Sequence, residues 1–298
     1  GDIVNWHDNG CSYLIDEEGR VTLSYDGGEH TVIVPLNLSL NNGSVKAPDI
    51  GNMGFYISKE KTAIAYAGEG DSGAVTVISS DDMGQSWKNA SISFDAPVTW
   101  MSIGFTTKDD GWLVICSSAG MGAENHYIFK TANGGKSWVR KESNIDEVFG
   151  RMLSGAGFIN DKAGFLCFRS ENLDFQPAVC VTTDGGLTWS KLNIDMPEEY
   201  NDFYKTVYSP VYDGESVIMP IMLSDNDGDV GKIYLTSGDN GVTWSCGTYT
   251  DLGDYSGGPF AGYVKSSEEK VQIYTEKGGT FLMSIPIEIF DSFPATDN

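Results

Sequence analysis

The feature that most constrains how this 298-residue chain folds is an eight-residue motif that occurs four times. The motif is Ser/Thr-x-Asp/Asn-x-Gly-x-Ser/Thr-Trp, and successive tryptophans are 51, 51 and 55 residues apart. Its acidic or amide residue, its glycine and its tryptophan are, in turn, Asp82, Gly84 and Trp87; Asn133, Gly135 and Trp138; Asp184, Gly186 and Trp189; Asp239, Gly241 and Trp244. Four matches at a nearly constant period predict a structural unit that repeats along the chain.

Each residue of the motif has a mechanical role in a tight turn between two strands. A run of β-branched or aromatic residues precedes every copy, so a strand leads into the turn. The Asp or Asn side chain accepts hydrogen bonds from backbone N–H groups, and the glycine supplies backbone freedom. The tryptophan then begins the next strand with a large side chain to bury. The segment Ser24-Tyr25-Asp26-Gly27-Gly28 resembles a further copy that lacks the tryptophan.

The period of about 50 residues contains four short strand-like runs, which is typical of a β-propeller blade. We therefore predict an all-β fold, a single β-propeller domain over residues 1–298 with six blades of four antiparallel strands. The less regular ends of the chain leave five or seven blades as alternatives. The approximate blades are residues 10–50, 51–95, 96–146, 147–197, 198–252 and 253–290, with terminal strands closing the ring.

The charge balance argues against two classes of partner. The chain has 19 Lys+Arg against 42 Asp+Glu, a net charge of −23, which repels nucleic-acid phosphates and anionic membrane surfaces. It contains no apolar run long enough to cross a bilayer, so we expect no direct membrane insertion. An acidic, aromatic-rich composition with few Lys and Arg is common in exported bacterial proteins. The chain starts with neither a basic segment nor an apolar one, so the protein is either cytoplasmic or has lost a signal or anchor segment. We expect the second, an extracytoplasmic monomer.

The cysteines, histidines and clustered aspartates are interpreted as structural residues and not as metal-binding or redox sites. The five cysteines form no C-x-x-C pair and favour buried apolar positions, with a Cys167–Cys180 disulfide across a hairpin as the alternative. The alternating aspartates of residues 225–229 begin like a calcium loop but lack its glycine and final glutamate, so a solvated turn is favoured. His30 and His126 have no ligand partner at a helpful spacing and are assigned no chemistry. We expect no metal and no cofactor.

The four motifs and the strands before them resemble the BNR or Asp-box repeat propellers. This superfamily includes sialidases, related carbohydrate-active domains, sortilin-type receptors and photosystem II assembly-factor propellers. The resemblance covers roughly residues 50–250, and Phe105-x5-Gly111-Trp112 is closest to the non-enzymatic assembly-factor and sortilin-type repeats, as is Phe158-x5-Gly164-Phe165. In the sialidases the active site lies on the face opposite the Asp boxes. The resemblance therefore implies a working face built from the loops between the second and third strands of each blade and from the loops between blades.

Two of the four arginines are expected near that face and are candidates for binding an anionic group. Arg151 enters the first strand of the fourth predicted blade, and Arg169 leaves its second strand. Glu171, in the loop after Arg169, is a further ligand-binding candidate. The alternative is structural, because each arginine can instead pair with a nearby carboxylate such as Glu147, Glu171 or Asp174.

The aromatic residues of the same loops are candidates for a sugar-stacking platform. These are Trp100, Tyr200, Phe203 and Tyr204. Lys205, next to Tyr204, is a further ligand-binding candidate. The alternative is that these rings pack between blades.

The sequence therefore predicts a non-catalytic scaffold that binds a glycan, a peptide or a protein, with a glycoside hydrolase as the alternative. A sialidase needs three convergent arginines, whereas Arg140 is expected on an outer strand and the early Arg-Ile-Pro motif of that family is absent. The G-x-S-x-G, P-loop and H-E-x-x-H motifs are also absent. Another glycosidase would need two carboxylates about 5–10 Å apart, one with a raised pKa.

Overall fold

The computed structural model describes residues 3–7, 11–15, 20–36, 40–41, 44–45, 52–67, 73–170, 176–213, 216–246, 250–251, 263–266, 270–274 and 281–286. Their regular structure is almost entirely β-strand, which confirms the all-β prediction. In this part of the chain no helix is long and apolar enough to cross a membrane. Two compact units are present: one is Gly1–Arg151 with Asn160–Ala163 and Thr182–Trp189, and the other is Met152–Ile159 with Gly164–Val181 and Ser190–Asn298.

Among the described residues, five sheets each hold four sequential antiparallel strands in the order of a propeller blade. Blade 1 contains β1 (Ile3–His7), β2 (Cys11–Ile15), β3 (Val21–Ser24) and β4 (Val32–Ile33), and a small hairpin follows, β5 (Leu40–Asn41) and β6 (Ser44–Val45). Blade 2 contains β7 (Gly54–Ile57), β8 (Thr62–Ala67), β9 (Ala74–Ser80) and β10 (Lys88–Ser93). Blade 3 contains β11 (Trp100–Phe105), β12 (Gly111–Gly120), β13 (Ala123–Thr131) and β14 (Val139–Lys141), and helix α1 (Ile145–Phe149) follows it.

The remaining strands complete two blades and a smaller sheet. Blade 4 contains β15 (Leu153–Phe158), β16 (Gly164–Phe168), β17 (Val179–Thr182) and β18 (Ser190–Lys191). A 3-10 turn follows at Glu198–Tyr200. Blade 5 then contains β19 (Tyr204–Val207), β21 (Ser216–Ser224), β22 (Asp229–Ser237) and β23 (Ser245–Cys246). Two short strands are added to this sheet: β20 (Val211–Asp213) pairs with β21, and β24 (Thr250–Asp251) pairs with β22. The last sheet has three strands, β25 (Tyr263–Ser266), β26 (Lys270–Tyr274) and β27 (Phe281–Pro286).

The described residues form five four-stranded blades, which is the lower alternative and not the six blades predicted. The chain is an all-β protein of the β-propeller type with five four-stranded blades in its described residues. The segment predicted as a sixth blade, 253–290, contributes a three-stranded sheet there. That segment has no copy of the motif that precedes the outer strand in blades 3, 4 and 5. The single domain over 1–298 and its blade ranges stay predictions.

The second strand of a blade is buried on both faces, as its continuous apolar sequence indicates. In β12 every residue from Gly111 to Ser117 is buried, and in β16 so is every residue from Gly164 to Phe168. One face of blade 3 packs against blade 2, where Ile103, Leu113 and Ile115 share a core with Ala65 and Val77. This burial provides the hydrophobic stabilisation of the sheet and makes it a rigid support for its loops.

Each copy of the motif forms one hydrogen-bonded turn. In blade 5 the Ser237 hydroxyl donates to Asp239 and accepts the Gly241 N–H, while Asp239 also accepts the N–H and the hydroxyl of Thr243. The first hydroxyl lies 2.7–3.0 Å from the glycine nitrogen in all four copies. Gly241 has φ +85°, a left-handed conformation that favours glycine. In this turn Trp244 Nε1 donates to the Gly241 carbonyl at 3.0 Å.

A fifth turn of the same kind closes blade 1 and uses a histidine. Ser24 donates to Asp26 and accepts the Gly28 N–H at 2.8 Å. Asp26 accepts the His30 N–H at 2.9 Å, and its other oxygen lies 2.6 Å from His30 Nδ1. His30, to which the sequence assigned no chemistry, has a structural role here, because its ring takes the place of the second hydroxyl.

The turn of blade 3 departs from the pattern at its tryptophan. Nε1 of Trp138 is buried and has no hydrogen-bond partner within the described structure, whereas the other three motif tryptophans each donate to a glycine carbonyl at 3.0 Å. In the same turn the carbonyl of Gly134 accepts a 2.7 Å hydrogen bond from the buried ammonium of Lys61, which also binds Asp81. Blade 2 therefore holds the motif turn of blade 3 through a side chain that no repeat pattern indicated.

The aspartates of these turns predict a loss of stability in acid. The hydrogen bond from the Thr243 hydroxyl, and then that from the Thr243 N–H, lower the pKa of Asp239 to about 2. The Ser86 hydroxyl and N–H likewise lower the pKa of Asp82 to about 2. Because these pKa values lie below the unfolded value, the stabilisation is complete above about pH 4 and is lost as the pH falls toward 2. Urea unfolding followed across this range should show a falling midpoint.

Blade 3 supplies a natural control for this prediction. Asn133 occupies the aspartate position there and accepts the Ser137 N–H at 3.0 Å, while its amide donates to the Ser137 hydroxyl at 2.8 Å. Asp239→Asn should therefore keep the turn and reduce the proton uptake that accompanies acid unfolding by about one proton. An unchanged pH dependence in Asp239→Asn would contradict this assignment.

Candidate functional site

The candidate site lies at the end of blade 3 opposite its motif turn. We call this region the loop end of blade 3 and define it as residues 99–100, 118–123 and 145–151. The hairpin of β12 and β13 extends beyond the other strands, because these strands have 10 and 9 residues whereas β11 has 6 and β14 has 3. Helix α1 lies beside the base of this hairpin.

The strand register brings three reactive side chains together at the base of the hairpin. Cys116 on β12 pairs directly with His126 on β13, so the two side chains point to the same face of the sheet. Glu124 lies two residues before His126 and therefore shares that face. All three side chains are buried, and their ligand atoms lie within 4.8 Å of one another.

The cluster is held by hydrogen bonds from two neighbouring elements. Asp146 on helix α1 lies 2.7 Å from His126 Nδ1 and also accepts the His126 backbone N–H at 3.1 Å. On the other side of the ring, His126 Nε2 lies 3.5 Å from Glu124 Oε2. Thr99 donates to Glu124 Oε1 at 2.9 Å. The imidazole therefore lies between two carboxylates, with Cys116 next to it.

Burial and charge shift the pKa of both titrating groups in the cluster. Burial acts to lower the pKa of His126, but the hydrogen bonds with Asp146 and Glu124 outweigh it, and the pKa lies above its ordinary value. Burial, and then the negative charge of Glu124, raise the pKa of the Cys116 thiol well above its ordinary value. Both shifts act in the same sense, toward the protonated ring and the protonated thiol.

The hairpin tip above the cluster is exposed and turns tightly. Gly120, Met121 and Gly122 have φ values of +85°, +52° and +76°, and the Met121 side chain is fully exposed. Gly120 pairs with Ala123, so Met121 and Gly122 form a two-residue hairpin turn, in which positive φ at both residues is the favoured geometry. Ala123 forms an isolated β-bridge with Arg151, and the Glu124 N–H donates to the Gly150 carbonyl at 3.3 Å. The connection after α1 is therefore fixed to the hairpin.

The structure places two predicted ligand-binding residues at this loop end. Trp100 begins β11, is half-buried and pairs in register with Cys116. Arg151 is exposed next to the hairpin through its bridge with Ala123. Arg140, which the sequence placed on an outer strand, is exposed on β14 and stacks over the ring of Tyr127 at 4.8 Å.

The other predicted ligand-binding residues belong to the second compact unit. Arg169 is exposed and forms a β-bridge with Thr206. Tyr200 is buried in the core cluster that contains Val207 and Ile221, with Phe203 packed against it, as the structural alternative stated. Tyr204 is half-buried at the start of β19.

Lys205 is fully buried, and its ammonium donates to the Phe203 carbonyl at 2.9 Å. A buried ammonium bound to its own chain is not presented to a ligand. Glu171, like Asp174, lies outside the described residues. The turn at Asp225 is held by its own carboxylate, which accepts the N–H groups of Asp227 and Gly228.

The cluster of Cys116, Glu124 and His126 was not predicted, because ligand partners for His126 were expected close to it along the chain. Cys116 and Asp146 lie 10 and 20 residues from His126, and only strand pairing brings them together. The one local signal was Glu124-x-His126 on a predicted strand, since residues two apart share a face. Cys167 and Cys180 form no disulfide, and four of the five cysteines are buried as predicted.

Comparisons with known proteins assign no activity to this chain. No protein-family model matches the chain, and no curated protein matches it. Among solved structures, YCF48 bound to D1 peptide is 14% identical, with 88% of this chain and 84% of that chain covered and a TM-score of 0.40. The SapL1 lectin in complex with alpha methyl fucoside is 12% identical, with 91% of this chain and 86% of that chain covered and a TM-score of 0.47. The NanB sialidase from Streptococcus pneumoniae is 16% identical, with 72% of this chain covered and a TM-score of 0.44. The matched part is 32% of that chain, so this chain spans about a third of its length.

Proposed function

We propose that this chain is a non-catalytic BNR-type propeller module that binds a peptide, a protein or a glycan through the loop end of blade 3. The observation that carries the proposal is the extended β12–β13 hairpin, which presents an exposed Met121 on a tight turn next to Arg151. The acidic composition further supports an extracytoplasmic, monomeric protein with no affinity for nucleic acid.

The chemistry of this surface suits recognition better than turnover. Met121 offers an adaptable apolar contact, Trp100 offers part of an aromatic ring, and Arg151 offers a planar cation for a carboxylate or similar group. The bridge to Ala123 and the sheet below keep these groups in fixed relative positions, which lowers the entropic cost of binding. The motif aspartates, in contrast, are occupied by backbone N–H groups of their own turns.

A peptide library and a glycan array, both probed with the purified chain, test the proposal. For the best ligand of either screen, Met121→Ser and Arg151→Ala should each weaken binding by about tenfold or more, because central contacts commonly contribute over 1 kcal/mol. The matched controls are Val242→Ser and Arg140→Ala, which alter an exposed apolar residue in a motif turn and an exposed arginine on an outer strand. Equal effects of variants and controls would refute the proposed surface.

A glycoside hydrolase is the second candidate, and the flanking of His126 by Glu124 and Asp146 favours it. Two carboxylates next to a buried imidazole could divide acid and base roles. A panel of glycoside substrates should show no turnover if the module only binds. Turnover that Glu124→Gln abolishes, in a variant that unfolds at the wild-type temperature, would overturn the binding proposal.

A further inference from the structure

The buried cluster of blade 3 has the composition of a metal-binding site. Cys116, Glu124 and His126 offer a sulfur, an oxygen and a nitrogen that all lie within 4.8 Å of one another. In a tetrahedral zinc site the ligands lie about 2.0–2.3 Å from the metal, which places them roughly 3.5 Å apart. Movements of about 1 Å therefore bring all three ligand atoms within bonding distance of a single zinc ion.

Neighbouring side chains already orient two of these ligands. The Asp146 carboxylate binds His126 at Nδ1, which turns Nε2 toward Glu124 and the centre of the cluster. A carboxylate on the far nitrogen of a ligating histidine is the usual outer partner in zinc sites. Thr99 holds Glu124 Oε1 and leaves Oε2 directed at the ring. These contacts reduce the reorganisation needed for metal binding.

We propose that Cys116, Glu124 and His126 bind a zinc ion, with water as the fourth ligand. The ligand types decide the metal, because thiolate and imidazole favour zinc over calcium and magnesium, which prefer oxygen. On binding, the Cys116 thiol gives its proton to solvent and its sulfur bonds to the metal. A proton on Nε2 of His126 also goes to solvent, so that the neutral ring bonds to the metal through Nε2 and keeps its Nδ1 proton toward Asp146. Asp146 acts as a positioning residue.

A zinc ion at this cluster would crosslink the base of the β12–β13 hairpin and so stabilise the loop end of blade 3. Its ligands come from both strands of the long hairpin, and Asp146 adds helix α1 to the same assembly. Binding should therefore raise the thermal stability of the whole chain, since the folded state alone presents the complete site. This inference does not depend on the identity of any ligand of the exposed surface.

Metal titration of the purified chain, first stripped with a chelator, tests the site directly. Zinc should bind with a stoichiometry of one, measured by competition with a chromophoric chelator. Cobalt should give the intense visible bands of tetrahedral coordination together with a thiolate charge-transfer band. Cys116→Ser and His126→Asn should abolish both signals, whereas Asp146→Asn should weaken zinc binding by about 10- to 100-fold.

The exposed Asp26–Glu29–His30 group supplies the matched control, because it is also a set of nearby ligand types. His30→Asn should leave zinc binding unchanged, and its loss in that variant would overturn the proposal. Absence of zinc binding by the wild-type chain, or equal binding by Cys116→Ser, would also overturn it. If Cys116→Ser fails to fold, single Ser variants of the other four cysteines must all retain the cobalt–thiolate band.

Discussion

Replacing Trp189 by alanine is expected to lower the free energy of unfolding by about 3–5 kcal/mol. Trp189 is 4% exposed, so the change leaves a large cavity, and it also removes the hydrogen bond from Nε1 to the Gly186 carbonyl at 3.0 Å. The Trp189 backbone N–H donates to Asn144 at 2.8 Å, and this contact should persist in the variant. Urea unfolding monitored by circular dichroism gives the measurement.

Phenylalanine substitutions at two motif tryptophans separate the hydrogen bond from the packing. Trp189→Phe and Trp138→Phe remove similar volumes, but Nε1 of Trp138 has no hydrogen-bond partner in the described structure. Trp189→Phe should therefore be more destabilising than Trp138→Phe by about 1 kcal/mol or more, the net value of a buried hydrogen bond. Equal losses would mean that the indole hydrogen bond contributes nothing to the motif turn.

Replacing Gly155 by alanine is expected to lower the free energy of unfolding by about 3 kcal/mol, the upper part of the range for overpacking. A Cβ at this position would lie 2.6 Å from the carbonyl carbon of Tyr208 and closer still to the backbone nitrogen of Ser209. Backbone atoms cannot rotate away as a side chain can. The neighbouring hydrogen bonds, from Ser154 to the Val207 carbonyl and from the Ala156 N–H to Ser209, resist a shift of β15.

Gly238→Ala is the matched control for this prediction. No atom lies within 4 Å of a Cβ at Gly238, and the corresponding position of the blade 3 motif is already alanine, Ala132. Gly238→Ala should therefore be neutral or stabilise slightly, through the lower entropy of the unfolded chain. A Gly155→Ala variant as stable as Gly238→Ala would show that blades 4 and 5 do not pack backbone to backbone at this point.

The strand content of each blade was predictable because its causes are local. The hydroxyl, Asp or Asn, and Gly of the motif bond to atoms no more than four residues away, so a turn such as that at Asp184 is specified within its own segment. The fifth turn was only half predicted, since His30 in place of a hydroxyl residue does not match the motif. Its hydrogen bonds nevertheless match those of the other turns.

The candidate site was not predictable by the same reasoning. His126 acquires its neighbours through the pairing of β12 with β13 and through helix α1, which brings in Asp146. Of the residues proposed from the loop assignment, Trp100 and Arg151 lie at the loop end of blade 3. Tyr200 and Lys205, from the same assignment, are buried in the second compact unit. Position in a loop or at a strand end does not reveal which way a side chain points.

The sequence by itself determined the repeating blade, its turns and the apolar second strands, because hydrogen bonds over four residues and alternation along a strand are short-range. The tertiary structure alone decided the number of four-stranded blades. It also decided the hydrogen bond from Lys61 to the Gly134 carbonyl and the clustering of Cys116, Glu124 and His126. Those features depend on which strands pair and which sheets pack together. Strand pairing and sheet packing minimise the free energy of the whole chain, so they cannot be deduced from any single segment.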